Sequence, residues 1–397
     1  MVAVPGSDDV RQRTVEAYGL IDHEGPVERF ARVTRVARQL FDVPVATITV
    51  FDGDQARYLG AQGFDGEPLP RLDTFCATTT MVNDVMIVPD AERDERFQDL
   101  PMVVEDGVRF YAGAPLRDGR GTVLGVLCVT DQRTREVGPE LTQGLLDLAS
   151  WAETELISSH EMATAGRVQA SMLPGDVLAV PGWDIAGLCL PAAAVGGDFF
   201  DYAVDQGVIT LVLGDVMGKG TGAALVGAGV RSALRGTRAA VAGGVDLGVT
   251  TTQVARVLQA DLERADSFAT ILSAAIEVED GWLRWVDAGL GLAVVVRADG
   301  TVEQLGGEDL PIGVLQDSYW TEHGTTLAPG DRLAVVSDGL LDLLEEPLEW
   351  WNELGAMLRG AGSATDLLAE VAHLNGRAPA TDDVTVIAVI REPEQDG

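Results

Sequence analysis

Four short stretches place aspartate at the ends of apolar, β-rich runs. They are Gly196-Gly197-Asp198, Gly214-Asp215-Val216-Met217-Gly218-Lys219-Gly220, Val336-Ser337-Asp338-Gly339-Leu340 and Thr381-Asp382-Asp383-Val384-Thr385. Val208–Leu213 leads into the second, Arg332–Val336 into the third, and Val384–Ile390 follows the fourth. An apolar run bounded by glycine and aspartate reads as a strand bounded by turns. Glycine beside the acid lets the backbone approach whatever the carboxylate holds. One such turn is ordinary. Four of them supply a set of hard, anionic oxygen donors at strand ends, which suits Mg²⁺ or Mn²⁺ better than Zn²⁺.

The surrounding chain must carry these turns. Trp183–Leu190 reads as a first strand, and Thr221–Arg238 as a helix of small residues. Thr252–Arg264 is a second helix. Thr270–Glu277, Trp282–Ala288, Leu292–Arg297 and Thr301–Leu305 alternate as antiparallel strands, with hairpins at Asp280-Gly281 and Asp299-Gly300. Trp350–Arg359 and Ala364–Leu374 are helices. This mixture predicts an α–β–β–α sandwich with the acidic turns gathered at one edge.

Toward the N-terminus, the chain to about Thr14 reads as loose. Pro26–Leu40 is an amphipathic helix, with Val27, Phe30, Val33, Val36, Ala37 and Leu40 at helical spacing. Val45–Phe51 and Gln55–Gln62 pair across Asp52-Gly53-Asp54. Leu72–Val82 is helical, Val85–Pro89 is a short strand, and Phe110–Leu116 pairs with Gly121–Thr130 across Asp118-Gly119. Gly138-Pro139-Glu140 opens another helix. From Glu140 to Met172 there is no proline, and one helix of that span is roughly 50 Å long at about 1.5 Å per residue. Leu141, Leu145, Leu148, Ala152 and Leu156 form an apolar seam that weakens toward Met162, Ala163, Gly166 and Ala170. The expectation is a dimerising linker helix; the alternative is that its first half is the last helix of the N-terminal domain.

The 397 residues suggest two or three domains. With 62 acidic and 28 basic side chains the formal net charge is −34, which disfavours nucleic acid and anionic membranes as partners. Cys76, Cys128 and Cys189 form no CxxC pattern, so a reducing cytoplasm is expected. Neither a signal core nor an apolar run of spanning length is present.

The words V-G-G-D-F-F-D at 195–201, G-D-V-M-G-K-G-T-G-A-A-L at 214–225, S-D-G-L-L-D at 337–342 and T-D-D-V-T at 381–385 resemble the PPM-type metal-dependent Ser/Thr protein phosphatases, most nearly the bacterial SpoIIE-type branch. The resemblance covers roughly Gln169 to Ile390, opening at Val168-Gln169-Ala170-Ser171-Met172-Leu173-Pro174. It implies two Mn²⁺ or Mg²⁺ ions. Asp215 would bridge them with the Val216 carbonyl as a further ligand. Asp338 and Asp382 would hold one ion, and Asp198 would orient water or hold the other. Asp383 is a further candidate ligand, while Asp201 is either a ligand or a solvated turn acid. Such a centre neutralises a phosphomonoester and activates water without a histidine or cysteine nucleophile, and His323 and His373 lie outside every motif. Lys219 either attracts substrate phosphate or is a surface lysine beside a helix start. The sequence departs from the family at Asp287-Ala288-Gly289-Leu290-Gly291-Leu292, where relatives often read A-G-H-x-P-P. If this loop lies outside the metal shell, Leu290→His should leave hydrolysis of a small generic phosphoester largely unchanged. Ser337 and Asp342 replace the common Thr and Glu.

A second resemblance covers roughly Arg11 to Glu155. The words D-T-F-C-A at 73–77, V-P-D-A-E-R-D-E-R-F at 88–97, R-F-Y-A-G-A-P-L at 109–116 and G-V-L-C-V-T-D at 125–131 are similar to a GAF domain. That implies a sheet able to cup a small molecule, with Asp90, Arg93, Asp94 and Arg96 either lining a polar pocket or pinning a loop. Cys76 is either a bilin attachment point or a small buried thiol; Ala77 follows it where bilin-binding relatives often have His, which favours the buried thiol.

The expected organisation is therefore α+β: a GAF sensor (11–155) with an antiparallel sheet and flanking helices, a linker helix (156–172), and a PPM-type sandwich (173–393). The expected protein is a cytoplasmic, GAF-regulated phosphatase, homodimeric through its linker. Its implied substrate is a phosphorylated STAS-type anti-sigma factor antagonist. The alternatives are a non-catalytic scaffold, or a GAF ligand sensor with a vestigial phosphatase fold.

Overall fold

A computed structural model describes residues 7–21, 28–65, 67–82, 84–175 and 177–393. The chain divides into two compact units, Met1–Glu161 and Met162–Gly397.

In the first unit, α1 (Ser7–Ala17) and α2 (Glu28–Phe41) precede β1 (Val45–Asp52), β2 (Gln55–Gln62) and the short β3 (Leu69–Pro70). Next come α3 (Phe75–Val82), β4 (Met86–Val88), α4 (Pro101–Val104), β5 (Phe110–Arg117) and β6 (Val123–Asp131). The strands form one antiparallel sheet in the order β3-β2-β1-β6-β5-β4. Side chains alternate across a strand, so Ala46, Ile48 and Val50 of β1 enter one apolar cluster with Phe30, Val33 and Val129. Phe51, Val126 and Cys128 belong to a second cluster with Phe75 and Tyr111. The expected loose start is instead helical from Ser7, because Val15 and Leu20 are buried in the first cluster. Of the expected amphipathic helix, Pro26 and Val27 lie outside the described residues.

The next helix, α5, runs unbroken over Pro139–Met172. The first half of its apolar seam is taken up inside the first unit. Leu145, Ala152 and Leu156 are fully buried in the first unit's core, and Leu148 nearly so. Those side chains are already spent on their own sheet and offer no seam to a second protomer.

The second unit contains two sheets faced by helices. After β7 (Leu178–Val180) and β8 (Trp183–Leu190), β9 (Phe199–Asp205) and β10 (Val208–Val216) form a hairpin. The helices α6 (Thr221–Gly236), α7 (Arg238–Ala242) and α8 (Leu247–Ala265) follow. Asp246 caps α8, accepting the Val249 N–H at 2.9 Å. Then come β11 (Ala269–Glu277), β12 (Trp282–Ala288), β13 (Ala293–Val296), β14 (Val302–Leu305), β15 (His323–Thr326) and β16 (Arg332–Val336). A 3₁₀ turn (Asp338–Leu343), α9 (Trp350–Gly360), α10 (Ala364–Arg377) and β17 (Val384–Arg391) complete the unit.

The five-stranded sheet is ordered β15-β12-β11-β10-β9, and the six-stranded sheet β14-β13-β16-β17-β8-β7. Phe200, Leu211, Leu213 and Leu272 of the first pack with Ile387, Val389, Val335 and Val295 of the second. Outside this layer, α6 and α8 cover the five-stranded sheet with Val230, Leu234 and Leu258. On the other side, α9 and α10 cover the six-stranded sheet with Leu354, Leu358 and Leu367. The α–β–β–α sandwich is therefore as expected.

Leu290 is 8% exposed and belongs to the layer between the sheets. An imidazole there loses its hydration, a cost to stability separate from the expectation about hydrolysis. Leu290→His should lower the unfolding midpoint of the second unit, read by thermal melting. Leu145→Ala should cost the first unit about 2–5 kcal/mol in denaturant melts, with sedimentation unchanged from wild type.

Candidate metal centre

The hairpin register brings the first two acids together. Phe199 pairs with Gly214, so Asp198, one residue before, stands beside Asp215, one residue after. The other two acidic turns come from the six-stranded sheet. Asp338 follows β16 and Asp382 precedes β17, and these strands pair through Val336 and Val386. Antiparallel pairing thus sets all four turns at one edge of the sandwich.

Backbone clamps hold the turns there. The Asp383 carboxylate accepts the Ala192 N–H at 2.8 Å, the Gly197 N–H at 2.8 Å and the Asp198 N–H at 3.4 Å. It thereby fastens the start of β17 to the turn entering β9. Ser337 Oγ donates to the Asp383 carbonyl at 3.1 Å and accepts the Thr385 N–H at 2.8 Å. Asp342 accepts the Thr381 N–H at 2.9 Å and its hydroxyl at 2.6 Å. Two glycines are dictated by close approach. A Cβ on Gly196 would meet Asp383 Oδ2 at 2.2 Å, and one on Gly339 would meet the Asp383 carbonyl oxygen at 2.2 Å.

A further clamp comes from the C-terminal turns of α5, within the second unit. The Gln169 side-chain amide donates to the Gly196 carbonyl at 2.7 Å and accepts the Gly196 N–H at 3.1 Å. Sequence reasoning used Gln169 as a domain-opening marker and missed this role. A side-chain amide that matches both backbone groups of a catalytic-type turn has no sequence signal of its own.

The electrostatics are those of crowded like charges. Burial raises the Asp198 carboxyl well above its ordinary range, and the Asp215 charge adds to that. Asp215 is pushed up to about 6, first by burial and then by Asp338 and Asp382. Asp338 is raised by burial and by Asp382. Asp198 Oδ2 is buried and accepts no hydrogen bond. Lys219 reaches into this field, its Nζ 3.1 Å from Asp382 Oδ2 and 2.8 Å from the Thr381 carbonyl.

These residues fit divalent cations. A buried carboxylate oxygen without a donor, beside acids that repel one another, lacks positive charge. Among the described residues no three acidic, histidine or cysteine side chains converge into a closed ligand cage.

Two other acids have structural work. Asp201 is not a solvated turn acid: it is 3% exposed and paired with Arg231 at 3.1 Å and Arg238 at 2.5 Å. Asp287, 1% exposed, accepts the N–H groups of Leu290 at 2.8 Å and Gly291 at 3.1 Å, which shapes the loop that departs from the family pattern.

Residues 205–392 match the model of the stage II sporulation protein E family (SpoIIE), and residues 26–156 match the GAF domain model. The chain is a GAF domain followed by a SpoIIE-type domain. Curated relatives include the phosphoserine phosphatase RsbU of Bacillus subtilis, 25% identical over 47% of this chain and 55% of RsbU. A cyclic di-GMP phosphodiesterase of Pseudomonas aeruginosa is 34% identical over 41% of this chain and 28% of its own length. Protein IcfG of Synechocystis is 23% identical over 59% and 42%. This chain therefore spans between 28% and 55% of the length of these relatives. Among solved structures, the RsbU and RsbW domains of a Mycobacterium tuberculosis protein are 26% identical with TM-score 0.48, over 55% of this chain and 62% of that one. The SiaA PP2C domain of Pseudomonas aeruginosa is 22% identical with TM-score 0.48, over 58% and 95%. No helix among the described residues is long and apolar enough to cross a membrane.

Crowded carboxylates should destabilise the metal-free SpoIIE-type domain. An acid whose folded-state pKa is raised loses stability as pH climbs from its unfolded to its folded value. For Asp215 that window runs from 3.8 to about 6, so the full penalty is present at pH 7.5. Asp198→Asn should therefore raise the melting temperature of metal-free protein at pH 7.5, by about 2–4 °C per kcal/mol relieved. It should also reduce the stabilisation gained from added Mn²⁺. Differential scanning calorimetry with and without chelator reads both effects.

Proposed function

We propose that the chain is a divalent-metal-dependent phosphatase acting on phosphoserine or phosphothreonine in a protein. The observation that carries this reading is the convergence of Asp198, Asp215, Asp338 and Asp382 from two sheets onto one edge, with a buried Asp198 oxygen left without a donor. Bound Mn²⁺ or Mg²⁺, two in number on the family pattern, supplies charge neutralisation for the phosphoryl group and a lowered pKa for the attacking water.

The chain's own residues then divide the work. Asp215, with the Val216 carbonyl, lies at the strand end between the two sheets and is assigned the bridging position. Asp338 and Asp382 are assigned to one ion, and Asp198 to the other or to orienting water. Asp383 is assigned to positioning rather than ligation, because its oxygens accept three backbone N–H groups. Lys219 balances Asp382 and can turn toward an incoming phosphate, since its side chain is largely exposed.

The similarity to RsbU, named a phosphoserine phosphatase, supports a small phosphoprotein as substrate, on the family pattern a STAS-type anti-sigma factor antagonist in the cytoplasm. Control by the GAF domain fits the Gln169 clamp. A change in how the end of α5 meets Gly196 would move the Asp198 turn directly.

Purified full-length protein should hydrolyse a phosphoserine peptide with Mn²⁺, and chelator should abolish that turnover. Asp215→Asn should lower kcat by about 100-fold or more, equivalent to about 2.7 kcal/mol of barrier, while circular dichroism stays native. Near wild-type turnover in this variant would overturn the assignment.

A further inference from the structure

The first unit encloses a cavity of about 400 Å³ on the sheet face opposite α5. That is within the size range of small-molecule sites. Its floor is formed by β1 and β6 and one wall by α3. Two acids, Asp106 and Asp131, line it, and its described lining contains no lysine, arginine or histidine. A phosphate-bearing or carboxylate ligand would enter without a counter-charge, so the cavity disfavours small anions.

Two thiols face one another in this lining. Cys76 Sγ and Cys128 Sγ are 3.3 Å apart, although 52 residues separate them in sequence. Each residue is 5% exposed. The Tyr111 hydroxyl lies 3.6 Å from Cys76 Sγ and is itself 2.6 Å from Thr79 Oγ1. The Thr49 hydroxyl is 3.7 Å from Cys76 Sγ, and Thr47 Oγ1 is 3.1 Å from Cys128 Sγ. When Cys76 is a thiolate, Cys128, Tyr111 and Thr49 can all donate to it, while Thr79 supports Tyr111. The two sulfurs are thus made unequal by their neighbours, not by their exposure.

We propose that this cavity is a peroxide-reactive dithiol site, with Cys76 as the nucleophile and Cys128 as the resolving thiol. The Cys76 sulfur attacks the terminal oxygen of a small neutral hydroperoxide. An S–O bond forms, the O–O bond breaks, and the alkoxide takes up a proton equal to the one Cys76 released. Cys128 then attacks the Cys76 sulfur: an S–S bond forms, the S–O bond breaks, and hydroxide departs as water with the Cys128 proton. Two thiols lose two electrons, and the hydroperoxide becomes an alcohol plus water. Closing the sulfurs from 3.3 Å to about 2.05 Å requires a short movement of side chains already in contact.

The thiol environments support the order of attack. Hydrogen bonding from Cys128, followed by that from Tyr111 and Thr49, holds Cys76 below the ordinary thiol range despite its burial. Cys128 is raised well above it, first through Cys76 and then by burial. Cys189, in the SpoIIE-type domain, is pushed up to about 12 by burial and serves as an internal control.

The test uses full-length protein treated with hydrogen peroxide or cumene hydroperoxide, then denatured, alkylated and mapped by mass spectrometry. Expected is a Cys76–Cys128 disulfide, seen as a loss of about 2 mass units from the joined peptides, reversed by reductant, while Cys189 is alkylated. The pair should react at least about tenfold faster than Cys189, although Cys189 is the least buried of the three cysteines, because a thiolate outpaces a protonated thiol. Cys128→Ala should leave Cys76 as a sulfenic acid captured by a 1,3-diketone probe, and Cys76→Ala should leave Cys128 unlabelled. Wild-type mapping decides the matter even if either variant fails to fold. Full alkylation of both cysteines under conditions that oxidise Cys189, bridges only between chains, or probe capture on Cys128 would overturn the proposal.

Discussion

Carboxylates of one sign, buried beside one another, repel and resist ionisation. The second unit is arranged around that constraint. Asp198, Asp215 and Asp338 are all held at raised pKa by burial and then by neighbouring aspartates, and the surrounding structure prevents them from separating. The restraint comes from backbone donors. Asp383 gathers N–H groups from the far side of the cleft, Ser337 and Asp342 pin the turns around Asp382, and Gln169 pins Gly196. These clamps are the reason a cation-hungry edge survives in a folded protein with a net charge of −34.

The two units use buried polar chemistry in different ways. In the SpoIIE-type domain the acids sit at strand ends contributed by two sheets. In the GAF domain the thiols lie inside the fold, on the floor of a cavity bounded by threonine and aromatic side chains. The described lining of the second offers an anion no counter-charge.

Much of this protein was legible in its sequence. The four aspartate turns, their order, and the alternation of Thr270–Glu277 and Val384–Ile390 identify the sandwich and its acidic edge, because strand period and turn chemistry are local properties. The GAF sheet was legible for the same reason. The helix Pro139–Met172 was recognised as continuous, but the use of its leucines was not. Periodicity shows that a helix has an apolar face without showing what covers it.

Sequence alone therefore determined where the acidic turns lie: the acids, the glycines that give them room, and the strands that end in them. Tertiary structure decided which partner each side chain found. It made Asp201 an ion-pair partner of Arg231, turned Asp383 toward three backbone N–H groups, and put Leu290 between the sheets. It also brought Cys76 against Cys128. Propensities and turn signals act within a few residues along the chain. These pairings join residues 30 to 190 positions apart, so they depend on strand register and layer packing, which only the folded molecule fixes.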